Sequence, residues 1–375
     1  MAKHIAFSGN TAWGMYNFRG KLLRHMVEKG YRVSVLAPYD DVYSPKLAAL
    51  GCEMCDMPMN PKGVNPISDA NLLYRYYKTL KQLKPDISIT YTIKPNIYGS
   101  LAARWLGIPY LPITTGLGYV FIQRTYITTI VKWLYKWAFK RARHVWFLNN
   151  DDIDTFRNED IVSSDKIQQL PGEGIDLNRF KLHTGKRDAA PFVFLLVGRM
   201  LMDKGVREYV AAARMLKQKY PDVKFRLLGA VWEGNPATIS EEQLREWERE
   251  GVVEYYGEVP DVVPHLEQAD CVVLPSYREG VPFTLMEGAA MGLPLVATDV
   301  PGCREVVVEG YNGFLCPDKN PEKLAEAMER MLNSSAEQRE LMGKNGRTLM
   351  EEKFDLKLIL EQYDRTVEAI LSDKK

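Results

Sequence analysis

Two glutamates, Glu279 and Glu287, bracket the start of a predicted helix. The helix follows a short apolar run and begins near Pro282, whose fixed φ and missing N–H suit the first helical position. A carboxylate beside a phosphate would repel it, so both side chains are better suited to accept hydrogen bonds from hydroxyl groups, which sugars offer. The alternative interpretation is an ordinary helix start with a favourable nearby charge and a solvated Glu287.

The first turn of the same helix is a candidate anion site. The first N–H groups of a helix do not bond within it and lie at the positive end of its dipole, and here they belong to Phe283 and Thr284. Gly280, followed by Val281, has no side chain, which would let a ligand come close to the backbone. The sequence therefore predicts that an anion binds at this turn.

Two cations lie in a turn after another apolar strand. Arg199 follows Gly198, and Lys204 precedes Gly205 at the start of a second predicted helix. Arginine and lysine in such a turn are suited to bind phosphate. Each could be an ordinary surface charge, but both lie in the same predicted domain as the anion-binding helix start. We therefore expect them to act on the same anion.

A further pair of carboxylates, Asp152 and Asp154, has the spacing of residues that hold a metal ion and a diphosphate. It follows an apolar strand, and Asn149 and Asn150 precede it. We interpret the pair as the first turn of a helix, with one of the asparagines as the N-cap and the acids complementing the dipole. The five histidines show no metal-ligand spacing. No metal site is predicted.

The composition is that of a globular protein, with 46% hydrophobic and 26% charged residues in a chain of 375. This length exceeds one ordinary core and predicts two domains. The net charge is +1, but residues 1–185 hold 24 Lys/Arg and 15 Asp/Glu (+9), and the remainder holds 25 and 33 (−8). The basic first half indicates an anionic partner or surface.

The cysteines are scattered, and the N-terminus does not have the pattern of a signal peptide. Cys52 and Cys55 have the spacing of a redox pair but lie in a predicted strand, so we interpret them as structural. Both observations predict a reducing, cytoplasmic location.

Short apolar runs alternate with helix-length segments in both halves, which predicts parallel sheets covered by helices on both faces. The runs lie at residues 4–8, 32–36, 86–90, 110–114, 144–148, 192–197, 224–228, 272–274 and 295–297. The predicted fold class is α/β, with two doubly wound, Rossmann-like domains facing a central cleft. We expect an N-terminal domain at 1–183, a polar linker from Lys181 to Pro191, a C-terminal domain at 191–355 and a final helix at 356–375 that packs on the N-terminal domain.

A glycine-containing loop, Ser8–Gly14, follows the first predicted strand. It lacks the complete G-x-G-x-x-G pattern, and no acidic residue directly follows the second strand. A nicotinamide dinucleotide site is therefore not predicted.

A basic, aromatic helix is predicted from Ile127 to Arg143. No apolar run approaches the roughly 18 residues of a membrane span. The helix instead carries one stripe of lysines beside an apolar face: Lys132, Lys136 and Lys140 form the stripe, and Trp133, Leu134 and Trp137 form the face. Such a helix can lie in an anionic membrane interface. The alternative is a domain helix that packs its aromatic side chains inward.

These motifs together resemble the retaining family 4 glycosyltransferases of GT-B fold, over most of the chain. The motifs are Glu279-x7-Glu287, the Gly198-Arg199 and Lys204-Gly205 pairs, Gly174–Phe180 and Asn312–Leu315. The first half, which contains Trp13–Arg19 and Thr115–Gly118, is similar to bacterial enzymes that extend polyprenyl-diphosphate-linked sugars for glycoprotein or surface-polysaccharide assembly. Family members often carry a histidine after the fifth strand, where this sequence has Thr114-Thr115-Gly116.

The resemblance implies roles for the donor site. Arg199 and Lys204, with the amides of Phe283 and Thr284, would neutralise the donor diphosphate. Gly14 would let a loop of the first domain approach the same diphosphate. Glu287 would hold the ribose hydroxyls and Glu279 a hydroxyl of the donor sugar. The other implied donor-binding residues lie in the neighbouring loops: Thr115, Gly198, Gly229, Val259, Gly280, Val281 and Pro282. Asn17 and Arg19 would bind the acceptor.

The implied activity is retaining transfer of a hexosyl or N-acetylhexosaminyl unit from a nucleotide sugar, expected to be UDP-linked, to a polyprenyl-diphosphate-linked glycan. No metal or other cofactor and no nucleic-acid partner is implied, and no enzymic nucleophile is identified. The implied location is the cytoplasm, with peripheral binding to the anionic inner face of the membrane. The alternatives are a nucleotide-sugar 2-epimerase of the same architecture and a non-catalytic nucleotide-sugar binding module.

Overall fold

The computed structural model describes residues 2–60, 65–117, 126–183, 191–232 and 234–372. The chain forms two compact units, the first comprising Met1–Glu173 with Lys357–Lys375 and the second comprising Gly174–Leu356. The first unit therefore ends before residue 183, and it includes the C-terminal segment. Most of the expected linker, residues 184–190, lies outside the described residues.

The first unit contains a parallel sheet that has seven strands in its described part. The strands are β1 His4–Ser8, β2 Arg32–Ala37, β3 Glu53–Asp56, β4 Ile87–Tyr91, β5 Tyr110–Thr114, β6 Val145–Phe147 and β7 Ile167–Gln169. Their order is β3-β2-β1-β4-β5-β6-β7, so the chain winds outward from β1 in both directions. This is the doubly wound arrangement.

Helices connect these strands. They are α1 Ala12–Glu28, α2 Tyr43–Ala49, α3 Pro66–Leu83, α4 Ser100–Trp105, α5 Tyr126–Phe139 and α6 Asn150–Asn158. Side-chain caps define several of their starts: Thr11 caps α1, Asn65 caps α3 and Asn149 caps α6. These short polar side chains accept hydrogen bonds from first-turn N–H groups that have no partner within the helix.

The second unit repeats the arrangement with a parallel sheet of six strands among the described residues. The strands are β8 Val193–Val197, β9 Lys224–Leu228, β10 Glu254–Tyr255, β11 Cys271–Leu274, β12 Leu295–Thr298 and β13 Gly313–Cys316. Their order is β10-β9-β8-β11-β12-β13. The helices are α7 Val206–Lys219, α8 Glu241–Arg249, α9 Val263–Glu267, α10 Phe283–Ala290, α11 Cys303–Val306, α12 Pro321–Asn333 and α13 Ala336–Leu349.

The last helix, α14 Leu356–Ser372, contributes most of its length to the first unit. The hydroxyl of Tyr363 lies 2.8 Å from that of Tyr91 at the end of β4. Asp364 pairs with His25 of α1 at 3.0 Å. Gln362 donates to the carbonyl oxygen of Gln169 at 3.0 Å. These contacts anchor the C-terminal segment to three elements of the first sheet and its helices.

The predicted fold class, two doubly wound parallel α/β domains, is confirmed. Every predicted apolar run overlaps a strand, and the central strands β1, β4, β5 and β8 are buried along their whole length. Strands β7, β10 and β13 were not predicted. They are edge strands of two to four residues, and an edge strand that is short has a weak apolar signature.

Candidate functional site

The predicted donor-binding loops of the second unit all follow strands of one parallel sheet. The carboxyl ends of parallel strands lie at the same edge, so these loops are neighbours. Gly198–Lys204 follow β8, Gly229 follows β9, Val259 follows β10 and Glu279–Pro282 follow β11. The structure therefore places the predicted loop residues of the second unit at one edge of its sheet.

Helix α10 begins one residue later than predicted. Pro282 has an extended conformation, with φ −77° and ψ 122°, and is the N-cap instead of the first helical residue. Its carbonyl oxygen accepts the hydrogen bond of the Met286 N–H at 3.3 Å, as expected of an N-cap residue. Phe283 is thus the first helical residue, and the positive end of the helix dipole lies at Phe283 and Thr284.

The side chain of Thr284 fixes this helix start to the neighbouring strand. Its hydroxyl donates to the carbonyl oxygen of Val197, the last residue of β8, at 3.0 Å. Gly198 and Arg199 follow immediately. The first turn of α10 therefore lies next to the turn that carries the predicted phosphate-binding cations.

Lys204 and Glu279 form an ion pair between two of these loops. Both side chains are largely shielded from solvent, at 18% and 12% exposure, so the pair is not an ordinary surface contact. Glu279 is further held by its N–H, which donates to the carbonyl oxygen of Pro301 at 3.2 Å. Two residues that the sequence assigned to the diphosphate and to the sugar are thus in direct contact.

The turn that carries Lys204 packs directly on the segment that carries Glu279. Gly205 has a φ of +70°, and a Cβ at this position would overlap the carbonyl oxygen of Pro275. The N–H of Tyr277 donates to the carbonyl oxygen of Asp203 at 2.9 Å. Neither Tyr277 nor Pro275 was predicted as a site residue. Both make these contacts with backbone atoms, and a backbone contact leaves little signal in the type of side chain.

The same segment is held from its other side by the loop after β12. A Cβ on Gly302, whose φ is +81°, would overlap the carbonyl oxygens of Gly280 and Glu279. The hydroxyl of Thr298 donates to the carbonyl oxygen of Ser276. Residues 276–280 are therefore clamped between two loops, and this fixes the entry to α10. Sequence reasoning did not identify Gly302, although a glycine after a strand is a recognisable turn signal.

The guanidinium of Arg199 lies over the indole ring of Trp232, with 4.5 Å from its central carbon to the ring centroid. Burial lowers the pKa of Arg199, and the carboxylates of Asp203 and Glu279 oppose that change. Trp232 was not predicted as a site residue. The sequence signal that could have identified Trp232 is an aromatic residue shortly after Gly229, the glycine that follows β9.

The loops after β8, β9 and β10 meet at glycines. Gly229 has a φ of +145°, and a Cβ there would overlap the carbonyl oxygen of Gly198. Its N–H donates to the carbonyl oxygen of Gly257 at 2.8 Å. Val259 follows two residues later and is half-buried. Gly198, Gly229 and Gly257 are therefore in direct backbone contact, and Val259, an implied donor-binding residue, follows in the same loop as Gly257.

Glu287 lies in the second turn of α10, where burial raises the pKa of its carboxyl group to about 7. Arg179 opposes this change and Asp261 adds to it. Those two side chains pair with each other at 3.0 Å on the exposed side. The alternative interpretation expected a solvated Glu287, whereas the residue is half-buried. A carboxyl group held in this way is suited to bind a ligand hydroxyl.

Of the two residues that follow on α1, Gly14 occupies a position that differs from the expected one, and Asn17 stays a predicted acceptor-binding residue. Gly14 lies in the first turn of α1 and not in a loop, and its N–H donates to the hydroxyl of the N-cap Thr11 at 3.0 Å. That hydrogen bond already uses the Gly14 amide. Asn17 is exposed on α1 and donates to the carbonyl oxygen of Trp13 at 3.0 Å.

Arg19, expected to bind the acceptor, lies inside the first unit. It forms a buried ion pair with Glu173, and both side chains are less than 8% exposed. Its guanidinium also lies 4.4 Å from the centroid of the Tyr91 ring. These partners commit the cation to the core of the unit.

Thr115 follows β5 and is half-buried, whereas Gly118 lies outside the described residues.

The interpretation of Asp152 and Asp154 as a helix start is confirmed. Asn149 caps α6: its side-chain oxygen accepts from the N–H of Asp152 at 2.9 Å, and its amide nitrogen donates to the Asp152 carboxylate at 3.1 Å. Asp154 pairs with Arg157 on the same helix at 2.9 Å. In the part of the chain that the structure describes, no three His, Cys, Asp or Glu side chains come together as a metal site.

Helix α5 only partly buries its aromatic face. Trp137 is half-buried, whereas Trp133 is 62% exposed. Lys132 pairs with Glu159 at 2.6 Å, and Lys136 and Lys140 are exposed. Within the described ranges, no helix has both the length and the apolar content needed to cross a membrane.

Two family models match this chain. The model described as glycosyl transferase 4-like matches residues 4–149, and the model described as glycosyl transferases group 1 matches residues 180–349. The two matches correspond to the first and second sheets. The second covers the loops after β8 to β12, where the candidate residues lie.

Named relatives and a solved structure agree with these models. The chain is 30% identical to the N,N'-diacetylbacillosaminyl-diphospho-undecaprenol alpha-1,3-N-acetylgalactosaminyltransferase of Campylobacter jejuni, covering 98% of this chain and 99% of the relative. It is 27% identical to the UDP-Gal:alpha-D-GlcNAc-diphosphoundecaprenol alpha-1,3-galactosyltransferase of Escherichia coli, covering 79% and 78%. The fold is similar to that of Anabaena HepE, solved with UDP, with a TM-score of 0.79, 19% identity and 98% and 100% coverage. The chain therefore belongs to the group 1, family 4-like glycosyltransferases.

Proposed function

We propose that this glycosyltransferase moves a sugar from a UDP-linked donor to a polyprenyl-diphosphate-linked glycan, with retention of the anomeric configuration. The observation that carries the proposal is the arrangement at the carboxyl edge of the second sheet. Arg199, Lys204 and the start of α10 are adjacent there and supply positive charge, while Glu279 and Glu287 supply acceptors for hydroxyl groups. A nucleoside diphosphate sugar needs both kinds of group.

The cations have a direct role in the transfer step. When the bond between the anomeric carbon and the diphosphate oxygen breaks, the electron pair stays on the diphosphate. Arg199, Lys204 and the first-turn amides of α10 would stabilise that charge, because they are fixed before the reaction begins. Glu279 would accept a hydrogen bond from the donor sugar, and Glu287 would bind the ribose hydroxyls.

Retention requires the acceptor oxygen to attack from the face that the diphosphate leaves. In the proposed step the acceptor hydroxyl forms the new bond to the anomeric carbon and gives its proton to an oxygen of the departing phosphate. No enzymic nucleophile is assigned. The names of both relatives specify an alpha linkage, which retention produces from an alpha-linked nucleotide sugar.

The relatives also support the proposed substrates. The name of the Escherichia coli relative specifies UDP-Gal as donor, and both names specify an acceptor linked to undecaprenyl diphosphate. The C. jejuni relative extends over nearly the whole of this chain. We therefore assign donor binding to the second unit and acceptor binding to the first.

Peripheral membrane binding is part of the proposal, because a polyprenyl tail stays in the bilayer. The first unit carries an exposed aromatic surface, defined here as Tyr74 of α3, Trp105 of α4, and Ile130 and Trp133 of α5. The Trp137 ring lies 5.8 Å from Trp105 and 5.7 Å from Trp133, so the surface is continuous from α4 to α5.

This aromatic surface has the composition of a membrane interface. A shallow apolar cleft of about 340 Å³ lies on α3 beside the end of α4, lined by Ala70, Leu73, Tyr74, Tyr77 and Trp105. Exposed cations lie on the same helices and directly after α5, and no acidic residue occurs between Asp86 and Asp151. Tryptophan and tyrosine beside basic residues are typical of proteins that bind anionic lipid surfaces.

Incubation of the enzyme with UDP-sugars and a short-chain polyprenyl-diphosphate glycan tests the proposed transfer. We expect an alpha-linked product by NMR, and an inverted linkage would contradict retention. We also expect EDTA to leave the rate nearly unchanged, whereas loss in EDTA with recovery in manganese would contradict metal independence. Incubation without acceptor separates the alternatives, since only an epimerase would then change the nucleotide sugar, and a binding module would form no product.

A further inference from the structure

We propose that Trp232 is a positioning residue that orients the guanidinium of Arg199 toward the diphosphate of the donor, an inference that rests on the proposed function. Trp232 follows β9 and is 45% exposed. Its ring lies 4.5 Å from the central carbon of the Arg199 guanidinium. The pair lies at the sheet edge that carries the other candidate donor residues.

The loop that carries Trp232 is fastened to the segment that follows Arg199. The N–H of Met200 donates to the carbonyl oxygen of Ala230 at 2.9 Å, and that of Ile239 donates to Met200 at 2.8 Å. The N–H of Met202 donates to Ala237 at 2.8 Å. These bonds resemble a short antiparallel ladder, with Leu201 opposite Thr238. The backbone segment that contains Arg199 and the loop that contains Trp232 are therefore joined by hydrogen bonds.

The tryptophan is itself braced by the turn that follows it. The carbonyl oxygen of Trp232 accepts from the hydroxyl of Thr238 at 2.6 Å and from the N–H of Asn235 at 3.3 Å. The backbone at Trp232 is therefore fixed beside the Arg199 segment, which limits the positions that the ring can take.

Stacking on an indole restricts a guanidinium to one plane. Arginine binds phosphate through a flat fork of N–H groups, so its orientation decides how many hydrogen bonds it can form. A long, unrestrained side chain would lose rotamer freedom on binding the diphosphate, and Trp232 removes part of that loss beforehand.

Replacement of Trp232 by leucine tests this role through phosphate-dependent binding. We expect the Kd for UDP to rise about tenfold, the scale of one cation–π contact in a partly desolvated site. The Kd for uridine, which lacks phosphate, should change by less than about twofold. Trp232→Phe, which keeps an aromatic face, should restore most of the UDP affinity. Tyr311→Leu is the matched control, because Tyr311 is 44% exposed in the same unit and precedes β13, which lies at the opposite end of the strand order from β9 and β10.

A double-mutant cycle identifies the route by which Trp232 acts. If it acts through Arg199, Trp232→Leu should have little further effect in an Arg199→Ala background. Additive losses would overturn the positioning role, as would an equal loss of uridine binding. Melting temperatures close to that of the wild type show that the variants are folded. If Trp232→Leu does not fold, Trp232→Gln, which also lacks an aromatic face, takes its place with the same expected losses.

Binding of UDP by the wild-type enzyme tests the proposed function separately from the role of Trp232. Failure of the wild type to bind UDP would contradict the proposed donor. Tight binding of UDP by the wild type and by Trp232→Leu alike would leave the donor assignment intact and overturn only the role of Trp232.

Discussion

Lys204 and Glu279 are paired across two loops of the second unit, although the sequence assigned them to different parts of a ligand. The pair places a carboxylate beside a cation that is proposed to bind diphosphate. Lys204 offsets the repulsion that a lone carboxylate would exert on a phosphate, so both side chains can lie at the entrance to α10.

The cations at this site should contribute strongly to the rate. Arg199→Ala and Lys204→Ala should each remove about 2 to 4 kcal/mol of transition-state stabilisation, the scale of one preorganised donor, measured as kcat/KM. Lys219→Ala is the control, because Lys219 is an exposed cation of α7 in the same unit. Activity of Arg199→Ala within about threefold of wild type would contradict its assignment.

Glu279 should matter more for turnover than for nucleotide binding. Glu279→Gln removes the charge but keeps one oxygen that can accept a hydrogen bond from the donor sugar. We expect lower kcat with an almost unchanged Kd for UDP, because free UDP lacks the sugar. A large rise in the Kd for UDP would show instead that Glu279 acts mainly by fixing Lys204.

The contact between Gly205 and Pro275 should be essential to the site. Gly205→Ala adds a Cβ that overlaps the Pro275 carbonyl, so the turn carrying Lys204 must move away from the Glu279 segment. Gly310→Ala is a matched control: its φ of +72° nearly equals the +70° of Gly205, but a Cβ there meets open space. We expect both variants to lose about 1 kcal/mol of unfolding free energy through backbone strain, and Gly205→Ala to lose more because of the overlap with the Pro275 carbonyl.

Only Gly205→Ala should also lose transferase activity by an order of magnitude or more, since a small displacement of a catalytic group has a large kinetic effect. Circular dichroism and steady-state kinetics on the two purified variants measure the difference. Equal activity of the two variants would show that the position of Lys204 does not depend on this contact.

Glu287 should make stability depend on pH near neutrality. Burial raises the pKa of its carboxyl group from 4.5 to about 7, so the folded protein favours the neutral form. The stability that this preference contributes is fully present below about pH 4.5 and is lost as the pH rises through about 7. Relative to Glu287→Gln, the wild type should therefore lose about 3 kcal/mol of unfolding free energy between these pH values.

Urea unfolding of both proteins between pH 4.5 and 8 measures this difference. Stability curves that run parallel would contradict the shift in the pKa of Glu287. The same variant should weaken UDP binding at pH 8, where the wild-type carboxylate is charged and accepts stronger hydrogen bonds from the ribose. Normal UDP binding by Glu287→Gln would contradict the ribose assignment.

Arg19 should contribute to stability and not to acceptor binding. Arg19→Met leaves the buried Glu173 carboxylate without its partner and should destabilise the first unit by about 3 to 5 kcal/mol. Arg19→Met/Glu173→Gln removes both charges and should recover much of that loss. A raised acceptor KM in the stable double variant would restore the acceptor-binding role.

The exposed lysines of α5 should determine binding to anionic vesicles. Lys136→Glu/Lys140→Glu should abolish co-sedimentation, because each basic group near an anionic surface contributes about 1 kcal/mol. Lys132→Ala should have a much smaller effect, since Lys132 is already paired with Glu159. High salt should weaken wild-type binding, and neutral vesicles should not bind. Unchanged binding of the double variant would contradict the role of α5.

Much of the candidate site could be predicted because its residues are defined by local spacing. The helix start at Phe283 and Thr284, the turn with Arg199 and Lys204, and the interval between Glu279 and Glu287 are properties of short segments. The alternating apolar runs likewise predict parallel sheets, and a parallel sheet brings the loops after its strands to one edge. Fold class and the identity of most donor-site candidates followed from these patterns.

Residue partnerships could not be read in this way, because they join segments that are far apart in the chain. The sequence alone determined which residue types lie at the ends of the strands, and hence the class of chemistry. Only the tertiary structure decided that Lys204 meets Glu279, that Trp232 covers Arg199 and that Glu173 takes Arg19 into the core. The physical reason is that a charge acquires its role from its burial and its nearest opposite charge, and both are fixed only when the loops pack.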